Sequence, residues 1–531
     1  MNHLTDQDLA SLLALLVAGA ALLVLVPRVR VPYPILMVLG GLALGFMPGM
    51  PDVELPPDLV LVGVLPPLLY GAAFFTSLRD LRANWRPVGM LAVGLVLLTM
   101  VVVAVVAHAV IPDLPWSSAF VLGAIVSPTD PLAATSIMER LGAPRRIVNI
   151  IEGESLINDG TALVAYRFAV AAVVTGSFSL WEAGLEFVLN VVGGVVVGLG
   201  VGWIVRQVRR RLDFPPAEVT LSLLTGYFAY IPAELLGVSA VIAAVTAGIY
   251  LGWHTPELTT PEVRLLGQST WEIVTFALNA LLFTLIGLEL PVILDELDAY
   301  SPGELLWWAF VVWAAVVAAR ALWVYPAAWL PRLLSRRVRE QPMMGSAKMA
   351  LVSWSGLRGA VSLAAALAVP LTTDAGDPFP GRSLILFLTF AVILGSLVLQ
   401  GLTLPAVIRG LDLEDDSAVE VREEAEARIG AAQAAIARLE ELIAEDWVRD
   451  DTADRMRGLY TFRQRRFSAR LDDGDDGAIE ARSLDYQRLR RELLDAERAA
   501  VVELRRVGGI SDEVARRITR DLDLEDARLD V

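Results

Sequence analysis

The chain has 531 residues, of which 55% are hydrophobic, and its formal net charge is −16. The charge is segregated: residues 411–531 hold 21 basic and 32 acidic side chains, whereas residues 1–410 hold only 23 and 28. This pattern predicts a membrane domain followed by a soluble tail, which excludes an ordinary soluble enzyme and argues against nucleic acid as a partner of the acidic tail. The absence of cysteine excludes thiolate chemistry, the three histidines leave almost nothing for a zinc site, and no cofactor is expected.

Apolar segments long enough to cross about 30 Å of hydrocarbon recur along residues 1–410. We count about thirteen, which predicts an all-α polytopic membrane protein. The predicted segments are 8–27, 32–48, 58–76, 87–111, 116–138, 147–174, 181–205, 216–233, 236–252, 270–292, 303–330, 344–370 and 383–408.

Arginines are distributed unevenly between the two sides of this predicted arrangement. Seventeen fall in alternate loops, and only Arg382 falls in the others. By the positive-inside rule, this predicts an N-terminus outside the cell and a cytoplasmic tail. In the tail, apolar residues at helical spacing predict helices over 417–446, from about Ser483 to Val507, and from Ser511 onward. We interpret the tail as a helical regulatory domain.

The fifth segment, 116–138, contains the motif S-P-T-D-P. Pro128 and Pro131 cannot both lie within one regular helix, because each lacks an amide hydrogen and clashes with the preceding turn. We therefore predict that the helix opens around Thr129, where protein or water must surround the backbone. Free carbonyl groups there can bind a cation, while Asp130 faces the positive N-terminus of the second half-helix.

The sixth segment, 147–174, contains the motif G-E-S-L-I-N-D-G. Helical spacing places Ser155 and Asp159 on one face, and Glu154 and Asn158 on the adjacent face. A charged side chain at membrane depth costs about 2.5 to 3.5 kcal/mol on insertion scales, so packing alone does not explain these pairs. We expect Asp159 to alternate between a protonated and a cation-bound state.

The twelfth segment, 344–370, contains the motif S-G-L-R-G, in which two glycines flank Arg358. Glycines weaken a helix and permit close approach of another backbone. An intramembrane arginine needs a carboxylate partner, and we predict that Glu154 forms a structural ion pair with Arg358. The interrupted fifth and twelfth segments are seven apart, which predicts two inverted six-helix repeats whose broken helices cross.

The three motifs, in this order and spacing, resemble those of the sodium/hydrogen exchanger family, the electroneutral branch of the monovalent cation:proton antiporters. The resemblance covers essentially all of residues 1–410, and the tail looks like that of the bacterial subgroup with a cytoplasmic extension. The resemblance implies a homodimeric antiporter, not an enzyme, in the lipid bilayer of a bacterial plasma membrane. It also implies exchange of Na+, or of Li+ or K+, for H+ in pH homeostasis.

Carried onto this chain, the resemblance assigns Asp159 as the carrier of the cation and the proton, with Asn158 as its partner. Asp130 and Thr129 are then part of the site, and Ser155 is a ligand. The transported Na+ is expected to contact Asp159, Asp130, Ser155 and Thr129, while the ion pair between Glu154 and Arg358 stabilises the core.

Two departures from the family pattern bear on mechanism. Some relatives have an acidic residue in the third segment near L-Y-G-A-A-F-F, where this chain has Gly71. Asn158 stands where electrogenic relatives have aspartate. With a single titrating carboxylate, Asp159 binds either one proton or one cation, which predicts electroneutral 1:1 exchange.

Three alternatives remain open from the sequence. A K+/H+ antiporter is the alternative within the same class, and a cation channel is the main rival from another class. An intramembrane aspartyl protease with Asp130 and Asp159 as its dyad is disfavoured, because the motif G-x-G-D is absent. Arg167 and Arg320, which also lie in predicted segments, receive no transport role.

Overall fold

The computed structural model describes residues 24, 28, 32–47, 59–176, 180–334, 344–411, 417–445, 447–469, 471 and 478–527. Over these residues the chain forms helices joined by loops, with one isolated β-bridge between Thr372 and Pro378. The chain divides into two compact units, Met1–Glu414 and Asp415–Val531. The first predicted segment, 8–27, lies outside the described residues.

Fifteen helices are described in the first unit. They are α1 (Tyr33–Gly45), α2 (Leu65–Phe75, after a π-helical turn at Leu59–Val64), α3 (Leu78–Ala83), α4 (Trp85–Val110), α5 (Trp116–Ile125), α6 (Leu132–Arg140), α7 (Arg145–Thr175), α8 (Leu180–Arg209), α9 (Pro215–Leu235), α10 (Ala240–Leu258), α11 (Pro261–Asp295), α12 (Pro302–Leu334), α13 (Ser346–Trp354), α14 (Ala360–Leu367) and α15 (Arg382–Gly410). Among the described residues, six helices are long and apolar enough to cross a membrane: α4, α7, α8, α11, α12 and α15. Each predicted segment from 32–48 onward coincides with a helix, or with a pair of helices at 116–138 and 344–370.

Several helix ends follow from local sequence chemistry. The side chains of Ser239 and Thr260 each accept a hydrogen bond from the backbone amide three residues later, which caps the starts of α10 and α11. Pro261 occupies the first position of α11, where its missing amide hydrogen has no helical partner to lose. Gly176 ends α7 at a φ of 70°, a left-handed conformation that glycine adopts without steric cost.

Two helices are interrupted as the motifs predict. The first break separates α5 from α6 around Thr129, and the second separates α13 from α14 around Leu357. The breaks contact each other directly, because the amide of Asp130 donates a hydrogen bond to the carbonyl of Leu357 at 2.8 Å. The guanidinium of Arg358 donates to the carbonyl of Ser127 at 2.6 Å. The predicted opening around Thr129 is therefore confirmed, and the two openings satisfy each other's backbone groups.

Small residues allow the helices around these breaks to pack closely. A β-carbon on Gly41 of α1 would overlap the backbone carbonyl of Thr284 in α11, and one on Gly287 would overlap the backbone of Val38. In a lipid environment, helix association depends on such close van der Waals contact rather than on removal of apolar surface from water. The glycines therefore hold α1 against α11.

The second unit contains four described helices: α16 (Ser417–Leu442), α17 (Asp450–Ala469), α18 (Ala478–Arg506) and α19 (Asp512–Ala527). The helix α17 was not predicted, because it buries only Ala453 and Phe467 and so lacks an apolar stripe. The Arg428 guanidinium of α16 lies 4.9 Å from the ring centroid of Phe467 and covers it by a cation–π contact. Helices α18 and α19 are joined by ion pairs such as that of Arg498 with Asp526 at 2.8 Å.

Candidate functional site

A cavity of about 320 Å³ lies beside the crossing breaks, between α2, α6, α7, α11 and α14. Four predicted contacts of the cation line it: Thr129, Asp130, Ser155 and Asp159. Gly71 lines it as well, and a side chain there would meet the indole of Trp271, since a β-carbon would lie 2.8 Å from its ring. The cavity therefore combines the carboxylates of Asp130, Glu152 and Asp159 with neutral oxygen groups in a space large enough for a hydrated monovalent cation.

Asp159 is a buried carboxylate without a fixed partner. It lies in the middle of α7, it is 7% exposed, and it faces the cavity. Within the part of the chain that the structure describes, no hydrogen-bond donor or cationic side chain contacts its oxygens, and the like charge of Asp130 acts on it. A buried carboxylate in such surroundings requires a proton or a mobile cation for stability.

The negative charge of Asp130, in contrast, is stabilised by neighbouring backbone amides. Its carboxylate accepts a hydrogen bond from the amide of Leu132 at 3.0 Å and lies near the amide of Ala360. These amides belong to the first residues of α6 and α14, so the carboxylate faces the positive ends of two half-helices. The sequence predicts the first of these helix ends, and the crossing supplies the second.

Thr129 connects the opened backbone to α7 through three hydrogen bonds. The hydroxyl of Ser155 donates to the carbonyl of Thr129 at 2.6 Å, and the amide nitrogen of Asn158 donates to the Thr129 hydroxyl at 2.7 Å. The Thr129 hydroxyl in turn donates to the carboxylate of Glu154 at 3.2 Å. Asn158 is not among the residues that line the cavity, so its amide positions Thr129 instead of contacting Asp159.

The predicted ion pair between Glu154 and Arg358 is wrong. Glu154, which is fully buried, forms a bidentate pair with Arg320 of α12: Nη1 contacts one carboxylate oxygen, and Nη2 donates to the other at 2.8 Å. The Nε group of Arg320 donates to the carbonyl of Val352 at 2.8 Å. Arg358 instead donates to the Ser127 carbonyl, close to the negative C-terminal end of α5.

Four residues of this region were not predicted from the sequence, and one of them is Glu152, which lines the cavity. Arg320 lay among the intramembrane charges but received no role, because its partner depends on the packing of α12 against α7. Asn279 of α11 and Ser362 of α14 both line the cavity and are 1% exposed. Among the described residues, the Asn279 amide nitrogen and the Ser362 hydroxyl have no hydrogen-bond partner. Asn279 interrupts an apolar run, a signal visible in the sequence.

Comparison with known proteins identifies the family of this chain. The family model described as sodium/hydrogen exchanger, transmembrane, matches residues 12–410. The chain belongs to the sodium/hydrogen exchanger family. The resemblance expected from the three motifs is thereby confirmed, and the chain is a multi-pass protein of a bacterial membrane within a family of transporters.

Individual relatives agree with this assignment. An uncharacterized Na+/H+ exchanger of Mycobacterium tuberculosis is 36% identical to this exchanger over 529 residues, which cover 98% of this chain and 95% of the relative. A sodium, potassium, lithium and rubidium/H+ antiporter of Bacillus subtilis is 35% identical over 386 residues, covering 71% of this chain and 57% of that protein.

A solved structure has a similar fold. The sodium proton antiporter of Methanocaldococcus jannaschii at pH 8 matches this exchanger with a TM-score of 0.58 at 19% sequence identity. The match covers 74% of this chain and 99% of the other. At this identity, the likeness applies to the fold alone.

Proposed function

We propose that this exchanger moves one monovalent cation, Na+ in the first instance, in exchange for one proton, with Asp159 as the single carrier. The observation that carries the proposal is the contrast between Asp159 and the carboxylates of Glu154 and Asp130. Glu154 is neutralised by Arg320, and Asp130 is balanced by two helix N-termini. Asp159 has neither kind of partner among the described residues, so its charge is the one that solution ions must balance.

The electroneutral ratio follows from Asp159 being the single group that binds and releases ions during the cycle. The Asp159 carboxylate together with a bound proton, or with a bound monovalent cation, has no net charge. Only these two neutral states can move through the membrane interior at a low free-energy cost. An empty carboxylate, or one that holds both ions, leaves a net buried charge. Each complete cycle therefore returns one proton for one cation.

The neutral ligands around Asp159 suit an alkali cation. The Ser155 hydroxyl directs its hydrogen to the Thr129 carbonyl, which leaves its oxygen lone pairs available on the cavity side. Asp130 adds a carboxylate oxygen, and Thr129 adds oxygen from the opened segment. Oxygen ligands of this kind are those that hard cations prefer.

The names of the relatives bear on the choice between Na+ and K+ as the transported cation. The Bacillus subtilis relative is named for sodium, potassium, lithium and rubidium, which makes K+/H+ exchange the alternative function of this chain. A cation channel is the more distant alternative.

Transport on this proposal is by alternating access. The transmembrane domain consists of two inverted six-helix repeats, and the two broken segments occupy equivalent positions in them. Two copies of the chain form a homodimer. The crossing of the two breaks and the fold likeness to a sodium proton antiporter support this arrangement. The arginine distribution supports an N-terminus outside and a cytoplasmic regulatory tail in a bacterial plasma membrane, where exchange serves pH homeostasis.

Cation-driven proton flux tests the function. The full chain, reconstituted in liposomes that contain a pH-sensitive dye, is expected to move protons when Na+ is added outside, with a rate that saturates as Na+ rises. Separate additions of Li+ and K+ give the selectivity. Cation uptake that does not saturate and moves no protons would indicate a channel, and absence of proton flux with every cation would contradict the proposal.

A further inference from the structure

A second cavity, of about 310 Å³, lies at one end of the membrane helices and is strongly basic. Its walls come from the α3–α4 connection, the start of α7, the end of α12 and the start of α13. Four guanidinium groups line it, and the described lining contains no carboxylate. The arginines are Arg82, Arg86, Arg146 and Arg332. A concave surface of one charge sign focuses the electrostatic field and attracts an anion of opposite charge.

The remaining lining of this basic cavity is apolar. Met90, Leu91, Val324 and Met349 are among the residues on its walls. Trp85 also lines it, with the Arg86 guanidinium 5.3 Å from its ring centroid, and remains 64% exposed. Tryptophan beside arginine is typical of the boundary between the hydrocarbon and the headgroups. The cavity thus joins an anion-binding rim to an apolar wall at the height of lipid headgroups.

We propose that the basic cavity binds the phosphate of an anionic phospholipid, and so links α4, α7 and α12. Basic pockets between membrane helices are suited to such headgroups, and guanidinium groups bind phosphate oxygens in a bidentate manner. Arg146 is oriented for this contact, because its Nε donates to Asn84 at 3.2 Å and leaves the Nη groups for phosphate. The apolar wall favours a lipid over free phosphate, since it covers the glycerol and the first acyl carbons.

The bound lipid also acts on the transport core. Val352 lines the basic cavity, and its carbonyl accepts the hydrogen bond from Arg320, the partner of Glu154. A headgroup that holds α7, α12 and α13 together therefore supports this ion pair. Lipid binding itself does not depend on the proposed exchange ratio or on the role of Asp159. Either proposal can therefore be refuted while the other stands.

Lipid titration of the full-length protein in detergent tests the proposal. Native mass spectrometry is used to measure binding of phosphatidylglycerol, with phosphatidylcholine of the same acyl chains and inorganic phosphate as separate probes. We expect Arg86→Gln/Arg146→Gln to weaken phosphatidylglycerol binding about tenfold. The matched control Arg210→Gln/Arg211→Gln removes two exposed charges outside the cavity lining and is expected to change it less than twofold.

Two further measurements distinguish lipid binding from binding of free phosphate and detect a folding defect in the variants. Arg86→Lys/Arg146→Lys keeps both charges and is expected to retain most of the binding. Phosphatidylglycerol is expected to raise the unfolding temperature of the unmodified protein. Equal binding of phosphatidylcholine, equal loss in the control variant, or saturation by inorganic phosphate at the affinity of the lipid would each overturn the proposal.

Discussion

Asp159→Asn is expected to reduce Na+-driven proton flux in proteoliposomes to the level of protein-free liposomes. Asparagine has nearly the same shape as aspartate but neither titrates nor neutralises a cation, so the change removes the carrier function and leaves the packing of α7 in place. The buried carboxylate also loses its desolvation cost, and the variant is expected to unfold at a temperature no lower than that of the unmodified protein.

A matched substitution separates this effect from a general loss of charge. Asp374→Asn makes the same chemical change in an exposed loop and is expected to leave the flux unchanged. Retained Na+-driven flux in Asp159→Asn would show that another group carries the ions. Asp130 would then be the first candidate, because it lines the same cavity.

Breaking the ion pair between Glu154 and Arg320 is expected to have the largest effect on stability. Glu154→Gln or Arg320→Gln leaves one charge buried without its partner, and such losses typically cost about 3 to 5 kcal/mol. The free energy of unfolding, measured by chemical denaturation in detergent micelles, is expected to fall by this amount. Glu234→Gln is the control, since its ion pair with Arg167 is 45% exposed on both sides and is expected to contribute no more than about 1 kcal/mol.

A double-mutant cycle distinguishes the observed partner from the one that the sequence predicted. Glu154→Gln/Arg320→Gln is expected to be much less destabilised than the sum of the single variants, because neither charge then remains unpaired. Glu154→Gln combined with Arg358→Gln is expected to show a smaller coupling energy, because Arg358 lies within electrostatic reach of Glu154 but does not pair with it. A larger coupling energy for Arg358 than for Arg320 would contradict the pairing in the structure.

The sequence predicts the broken helices because proline and glycine act locally. Pro128 and Pro131 exclude a continuous helix whatever surrounds them, and the glycines beside Arg358 mark the second opening. The same kind of argument places Ser155 and Asp159 on one face of α7, where both line the cavity. These features depend only on residues within one or two helical turns, so they can be predicted from the sequence.

The ion-pair partner could not be predicted in this way. Glu154 has two buried arginines within electrostatic reach, and the choice between them depends on how α12 and the second break pack against α7. Arg358 is held by the Ser127 carbonyl, a contact that exists only because the breaks cross. For the same reason, the second helix end that faces Asp130 follows from tertiary structure and not from the motif around it.

The most direct test of one-for-one exchange at Asp159 is the null point of transport. Proteoliposomes are prepared with opposing Na+ and pH gradients while the membrane potential is clamped at several values, and net proton flux is measured. A tenfold Na+ gradient is expected to be balanced by a gradient of one pH unit, and this null point is expected to be the same at every potential. A null point that shifts with potential, or that lies at another ratio, would contradict the single-carboxylate mechanism.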